Sequence, residues 1–285
     1  ITAPDYLSRP ASHESPPTPA LTGAVVSSHA REEDWHDMSQ LRSVGLLAAG
    51  TAVAHVVSLA AAPLLTRLYT PTDFGLLAVF TSIVGIASVV VSLRLELAVP
   101  VPPAEEDAAQ VVAAGMVVAA VVAGLVAVLV AALGDEVSAA LGVPELAPLL
   151  GFAPVYLAAW GAYSMLNFWF ARRDRFAVIA VVNAVRAVAV AAGQGLLGLT
   201  RTGGLGLIAG HALGPVVLAC GLLLAVARGD DASPVVRLSW RGVVGVLRRF
   251  RSFVVFGTPQ ALVNALNQSL PAVVMTLAFS ASVAG

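Results

Sequence analysis

The residues able to do chemistry sit in stripes inside long apolar runs. Tyr156, Trp160, Tyr163 and Asn167 recur at i, i+4, i+7 and i+11, the spacing of one helix face. This stripe climbs more than two helical turns, deeper than an interfacial aromatic belt reaches. Aromatic faces beside an amide suit sugar rings, and packing is the alternative. Asn183, Arg186 and Gln194 share a second narrow face. Arg186 lies too deep in its run for easy snorkelling. An ionisable residue at such a depth marks a functional position. A carboxylate could neutralise it, yet no Asp or Glu lies in the core of any apolar run. That absence favours an anionic ligand or a wet cavity. The densest stripe is Gln260, Asn264, Asn267 and Gln268, followed by Pro271. Four carboxamides on one face line a cavity or tie helices together. His55 lies on a face with Thr51 and Ser58. His211 stands among Gly206, Gly210, Gly214 and Pro215, which mark a bend or close packing. A lone histidine is more often packed than chemical. Thr81, Gly85, Ser88 and Ser92 are all small, which fits close helix approach.

The runs that hold these stripes are long enough to cross a bilayer. The chain is 58% hydrophobic and only 12% charged, against about 25% charged in a soluble domain. A hydrocarbon core needs roughly 20 mostly apolar residues per helix. Seven stretches qualify, at about 44–66, 74–93, 108–133, 147–170, 176–199, 204–227 and 253–279. Nothing alternates with period two, so a strand barrel is excluded. The expected class is an all-α polytopic membrane protein with about seven transmembrane helices. The third run carries only Gly115 and Gly124 in its core and is expected to face lipid.

Arginine placement gives the topology. The chain has no lysine. Arg42, Arg94, Arg172, Arg173, Arg175, Arg228, Arg237, Arg241, Arg248, Arg249 and Arg251 fall on one side; Arg67 and Arg201 fall on the other. Eleven against two predicts a cytoplasmic N-terminus. The net charge of −1 gives no sign of nucleic-acid binding. The single cysteine, Cys220, excludes an internal disulfide framework. No P-loop, zinc spacing or nucleophile elbow is present, so no enzyme, cofactor or metal is expected. Glu105–Asp107 reads as a solvated helix start. At "LYTPTDF", Thr70 can cap a helix, Pro71 suits its first position, and Asp73 sits in its first turn. The expected organisation is a disordered tail over 1–40, untranslated if the start is Met38. A six-helix lobe covers 41–228, a basic cytoplasmic linker 229–252, and the first helix of a second lobe 253–285.

Three segments together carry a resemblance: "LLTRLYTPTDFGLLAVFTSIVGIASVVVSLRLELAVPVP", "EEDAAQVVA" and "LNFWFARRDRFAVIAVVNAVRAV". They resemble the oligosaccharide (O-antigen type) flippases, the polysaccharide-biosynthesis branch of the multidrug/oligosaccharidyl-lipid/polysaccharide exporter superfamily. That branch usually has an aromatic residue between Arg94 and Glu96, where this chain has Leu95. The resemblance implies a MATE-like fold of two pseudo-symmetric lobes, of which this chain holds one lobe and one helix. It implies flipping of an undecaprenyl-diphosphate-linked oligosaccharide across the bacterial cytoplasmic membrane by alternating access. Its partners would be the lipid-linked oligosaccharide, membrane lipid, a coupling proton or sodium ion, and the polysaccharide polymerase machinery. Arg186 is the first candidate for the diphosphate, then Arg67, with His55 and His211 as helpers. The stripes Tyr156–Asn167 and Gln260–Gln268, with Asn183 and Gln194, are candidates for sugar contact or cavity lining. A cation-coupled multidrug exporter would want an acidic residue within a span. A membrane polymerase or ligase would want a large outer loop with arginines. An inactive fragment or membrane scaffold is the remaining class.

Overall fold

A computed structural model describes Gly45 and residues 48–229 and 240–267. These residues belong to one unit, Ser43–Gly285. Among them the regular structure is all helical. Six helical segments are long and apolar enough to cross a membrane. They are α1 (Ala48–Leu68), α2 (Pro71–Val91), α3 (Glu105–Ala140), α4 (Ala153–Arg172, led in by a 3-10 segment Pro144–Phe152), α5 (Phe176–Leu199) and α6 (Gly204–Arg228). A shorter helix, α7 (Trp240–Arg249), lies within the stretch expected as a linker. The seventh expected span begins as a π turn, Phe253–Gly257, and continues helical through Asn267. Its remainder, the tail over 1–40, Arg42 and Arg237 lie outside the described residues.

Small residues set how closely the helices approach, as they must where lipid removes the hydrophobic drive for helix association. Helices α1 and α5 run in the same direction. Gly50 meets Ala180 near one end, and Gly195 and Gly198 meet Leu64 and Leu68 near the other. Helices α5 and α6 form the most extensive antiparallel pair. At Gly210 an added Cβ would lie 2.7 Å from the Gln194 backbone nitrogen, closer than real Cβ atoms come. Helix α4 also packs on α6 and α3.

The turn between α1 and α2 has more to hold than its own helix start. Thr70 caps α2: its Oγ1 accepts from the Asp73 N–H at 3.3 Å, and its own N–H donates to Asp73 Oδ2 at 2.8 Å. Such a capping box contributes about 1 kcal/mol. Asp73 also reaches the start of α6. Added Cβ atoms at Gly203 and Gly204 would sit 3.3 and 3.4 Å from its Oδ1. Gly203 has φ +58 and ψ −143, a conformation only glycine adopts readily. Beside it, buried Tyr69 donates its hydroxyl to the Gln194 carbonyl at 2.7 Å. Burial, with the Asp73 carboxylate adding to it, raises the Tyr69 phenol above its ordinary value, so it stays protonated as a donor.

Two expectations change. The third run does not simply face lipid. Its first half is core: Ala108, Val111, Val112, Ala114 and Ala119 are buried. The reason is size, since Gly115 lies against Met165 and Ala119 lies against Gly161 of α4. An apolar stripe runs from the middle of the helix onwards, with Val117, Val121, Leu125, Val128 and Leu133 exposed. The acidic start of α3 is not merely solvated either. Glu105 pairs with Arg173 at 2.7 Å and Asp107 with Arg249 at 2.9 Å, tying α3 to α4 and α7. Nearby, Leu93 and Arg94 take left-handed conformations. Leu95 is fully buried, and buried Glu96 accepts from Ser92 Oγ at 2.7 Å and from Arg94 at 3.4 Å.

Candidate functional site

Helices α4, α5 and α6 enclose a cavity of about 180 Å3. Its lining comes from three helix faces. Helix α4 supplies Tyr156, Trp160 and Tyr163; α5 supplies Asn183 and Arg186; α6 supplies His211, Gly214, Pro215 and Leu218. Each set follows helical spacing, which is why one face of each helix can meet at one place.

The aromatic groups form a continuous row across α6 and α4. His211 and Tyr156 stack with centroids 5.8 Å apart, and Tyr156 and Trp160 stack at 6.4 Å. Trp160 then meets Tyr163 at 5.4 Å. Phe80 of α2 packs edge-on against Tyr156 at 6.2 Å and braces the row from behind. Asn183 Nδ2 donates to the Ile179 carbonyl at 2.9 Å, and the amide lines the cavity together with Tyr163. The amide is thereby oriented by its own helix.

Arg186 is the eleventh residue of the 24-residue α5, about 15 Å along the axis from the start of the helix and about 20 Å from its end. Its stem lies over Gly214, where an added Cβ would be 3.9 Å from the arginine Cγ and Cδ. No carboxylate pairs with it among the described residues. Next on α6, Pro215 has no N–H to give to the His211 carbonyl four residues back. The cavity therefore combines a fixed cation, an amide, an imidazole and three aromatic faces. A guanidinium in such a setting binds carboxylate or phosphate through paired N–H donors. Aromatic faces offer a flat surface to a sugar ring. No group of three metal-ligating side chains occurs among the described residues.

The structure thus brings together Tyr156, Trp160, Tyr163, Asn183, Arg186 and His211. It does not bring the other candidates to this cavity. Arg67 and His55 are exposed on α1. Gln194 is buried between α5 and α6, where Nε2 donates to the Leu207 carbonyl at 3.1 Å. Asn167 lies one turn beyond Tyr163 towards the arginine-rich end, with a buried Oδ1 that has no hydrogen-bond partner among the described residues. Gln260, Asn264 and Asn267 are exposed on the helix that follows the π turn. Gln268 and Pro271 lie outside the described residues. Leu218 lines the cavity without having been a candidate. Its position seven residues after His211 was the available signal.

Residues 64–285 match the model of a family described as polysaccharide biosynthesis protein. No curated protein and no solved structure matches the chain. With the match covering most of the sequence and six helices able to span a bilayer, this multi-pass membrane protein belongs to the polysaccharide biosynthesis protein family.

Proposed function

We propose that the protein is a transporter that moves an undecaprenyl-diphosphate-linked oligosaccharide across the bacterial cytoplasmic membrane by alternating access. The observation that carries this reading is the cavity of α4, α5 and α6. It holds one deep arginine without a carboxylate, beside a row of aromatic rings. A diphosphate joined to sugars presents both matching chemistries: charge for Arg186 and ring faces for Tyr156, Trp160 and Tyr163. A cation exporter would need the opposite sign in the cavity, and no carboxylate lines it. Helix α4 then supplies sugar contacts, α5 the anion contact, and α6 a Gly214–Pro215 step able to bend as the lobe changes state.

Replacing Arg186 with leucine tests the reading. Cells carrying Arg186→Leu should lose surface glycan while the protein level stays unchanged. Normal surface glycan in that strain would overturn it.

The orientation belongs to the same proposal. Arg94, Arg172, Arg173, Arg175, Arg228, Arg241, Arg248, Arg249 and Arg251 lie at one end of the spans; Arg67 and Arg201 lie at the other. The positive-inside bias places the arginine-rich end in the cytoplasm. With Cys220 replaced by alanine, an impermeant thiol reagent should label Thr202→Cys but not Arg175→Cys in intact spheroplasts. The reverse pattern would invert the topology.

A further inference from the structure

Helix α7 is short, two-faced and placed at the arginine-rich end. Its sequence is WRGVVGVLRR. Val243 and Val246, with Phe250 just beyond, are buried in the core cluster that holds Leu95, Val99 and the first turns of α3, and α7 packs on α3. Arg249 holds this docking through its 2.9 Å pair with Asp107. These contacts use one side of the helix.

The opposite side of the helix carries charge. At 100° per residue, Arg241 and Arg248 fall on one line, opposite the buried side. Both are exposed. Between them and the core lies a flank of Trp240, Val244 and Leu247, the last packed on the core cluster, and Arg251 lies just past the helix end. Trp240 is 66% exposed, Val244 and Leu247 are half-buried, and Arg251 is exposed. Among the described acids at this end, Glu96 pairs with Arg94, Glu105 with Arg173 and Asp107 with Arg249, and neither Glu106 nor Asp174 pairs with an arginine of α7. Arg241, Arg248 and Arg251 have no ion pair among the described residues. The six spans fix the depth of this end, because their ends define the bilayer surface. A helix held there, with a tryptophan flank and three free arginines, has the pattern of an interfacial helix on anionic lipid.

We propose that α7 is a lipid-binding surface that seats this end of the protein on anionic phospholipid headgroups. Trp240 and Val244 enter the acyl boundary, and Arg241, Arg248 and Arg251 contact phosphate. This interaction is separate from the cavity and does not depend on what the cavity carries.

The test uses the purified full chain and two probes, phosphatidylglycerol and phosphatidylcholine, with binding followed by native mass spectrometry. Wild type should prefer phosphatidylglycerol. Arg241→Gln/Arg248→Gln/Arg251→Gln should bind it on the order of a hundredfold more weakly at low salt, and Arg248→Gln alone roughly fivefold more weakly. Phosphatidylcholine binding should not change. Arg249 is kept, so the pair with Asp107 survives. Equal affinity of the variants and wild type for phosphatidylglycerol would overturn the proposal, as would no preference in wild type. The single variant serves if the triple variant fails to fold. A second reading comes from brominated lipid in vesicles. The difference in quenching between wild type and Trp240→Phe should be large for bromines near the headgroup, and no difference would overturn insertion of the flank.

Discussion

Arg186 carries a fixed charge to the middle of a membrane span, and the cost of that placement decides how it should be understood. Insertion scales put a central arginine at about 2.5–3.5 kcal/mol. A structural arginine would offset this with a carboxylate, and removing it would leave that partner stranded at a cost of about 3–5 kcal/mol. Here the guanidinium lines a cavity with Tyr156, Tyr163 and His211 and has no acid beside it among the described residues. Arg186→Leu is therefore expected to leave thermal stability in detergent unchanged, or to raise it, even as it abolishes glycan export. A fall of several kcal/mol would show a structural partner instead. At this scale the sequence was informative wherever helical spacing alone placed a side chain. Tyr156, Trp160 and Tyr163 could be aligned by period, as could Asn183 and Arg186. Gln194 shares the Asn183–Arg186 face by spacing but is taken up by the Leu207 carbonyl and by packing on Gly210. That use depends on how α5 meets α6, which no single-helix pattern encodes.

The helices are held by close approach rather than by burial from water. The α5–α6 pair is the clearest case, because it aligns Arg186 with His211 and Gly214. Gly210 leaves no room for a methyl group against the Gln194 backbone. Gly210→Ala should separate the two helices, lower stability by about 1–3 kcal/mol and reduce transport, as measured by thermal unfolding and by surface glycan. Gly124→Ala is the control, since nothing lies within 4 Å of an added Cβ there. A Gly210→Ala protein as stable as that control would contradict this account of the pair. Element lengths were legible from apolar runs of about 20 residues. Two elements were not. Helix α3 runs 36 residues because its acidic start and its Gly134–Ala140 end continue the helix beyond the apolar stretch. Helix α7 is only 10 residues long, too short for a span count. Its pattern of Val243, Val246 and Phe250 was readable by period, but charge hid it inside a basic linker.

Across the whole molecule, the charge distribution and the cavity divide the work. The arginine-rich end carries ion pairs that join α3, α4 and α7, and Arg241, Arg248 and Arg251 are exposed there. The opposite end carries the Thr70–Asp73 cap and the glycines of α6, which bring α2 and α6 together. Between these ends, the cavity is the one place among the candidates where charge, amide and aromatic faces converge. The helical membrane class followed from hydropathy, because hydropathy is additive along the chain. The convergence of α4, α5 and α6 was not legible, because it depends on which helices are neighbours. The most direct measurement is the affinity of the purified protein for a polyprenyl-diphosphate-linked saccharide, compared between wild type and Arg186→Gln. Losing charge-assisted hydrogen bonds worth about 2 kcal/mol should weaken binding roughly thirtyfold. Equal affinity in the two proteins would contradict the claim that this cavity holds the anionic head of the substrate.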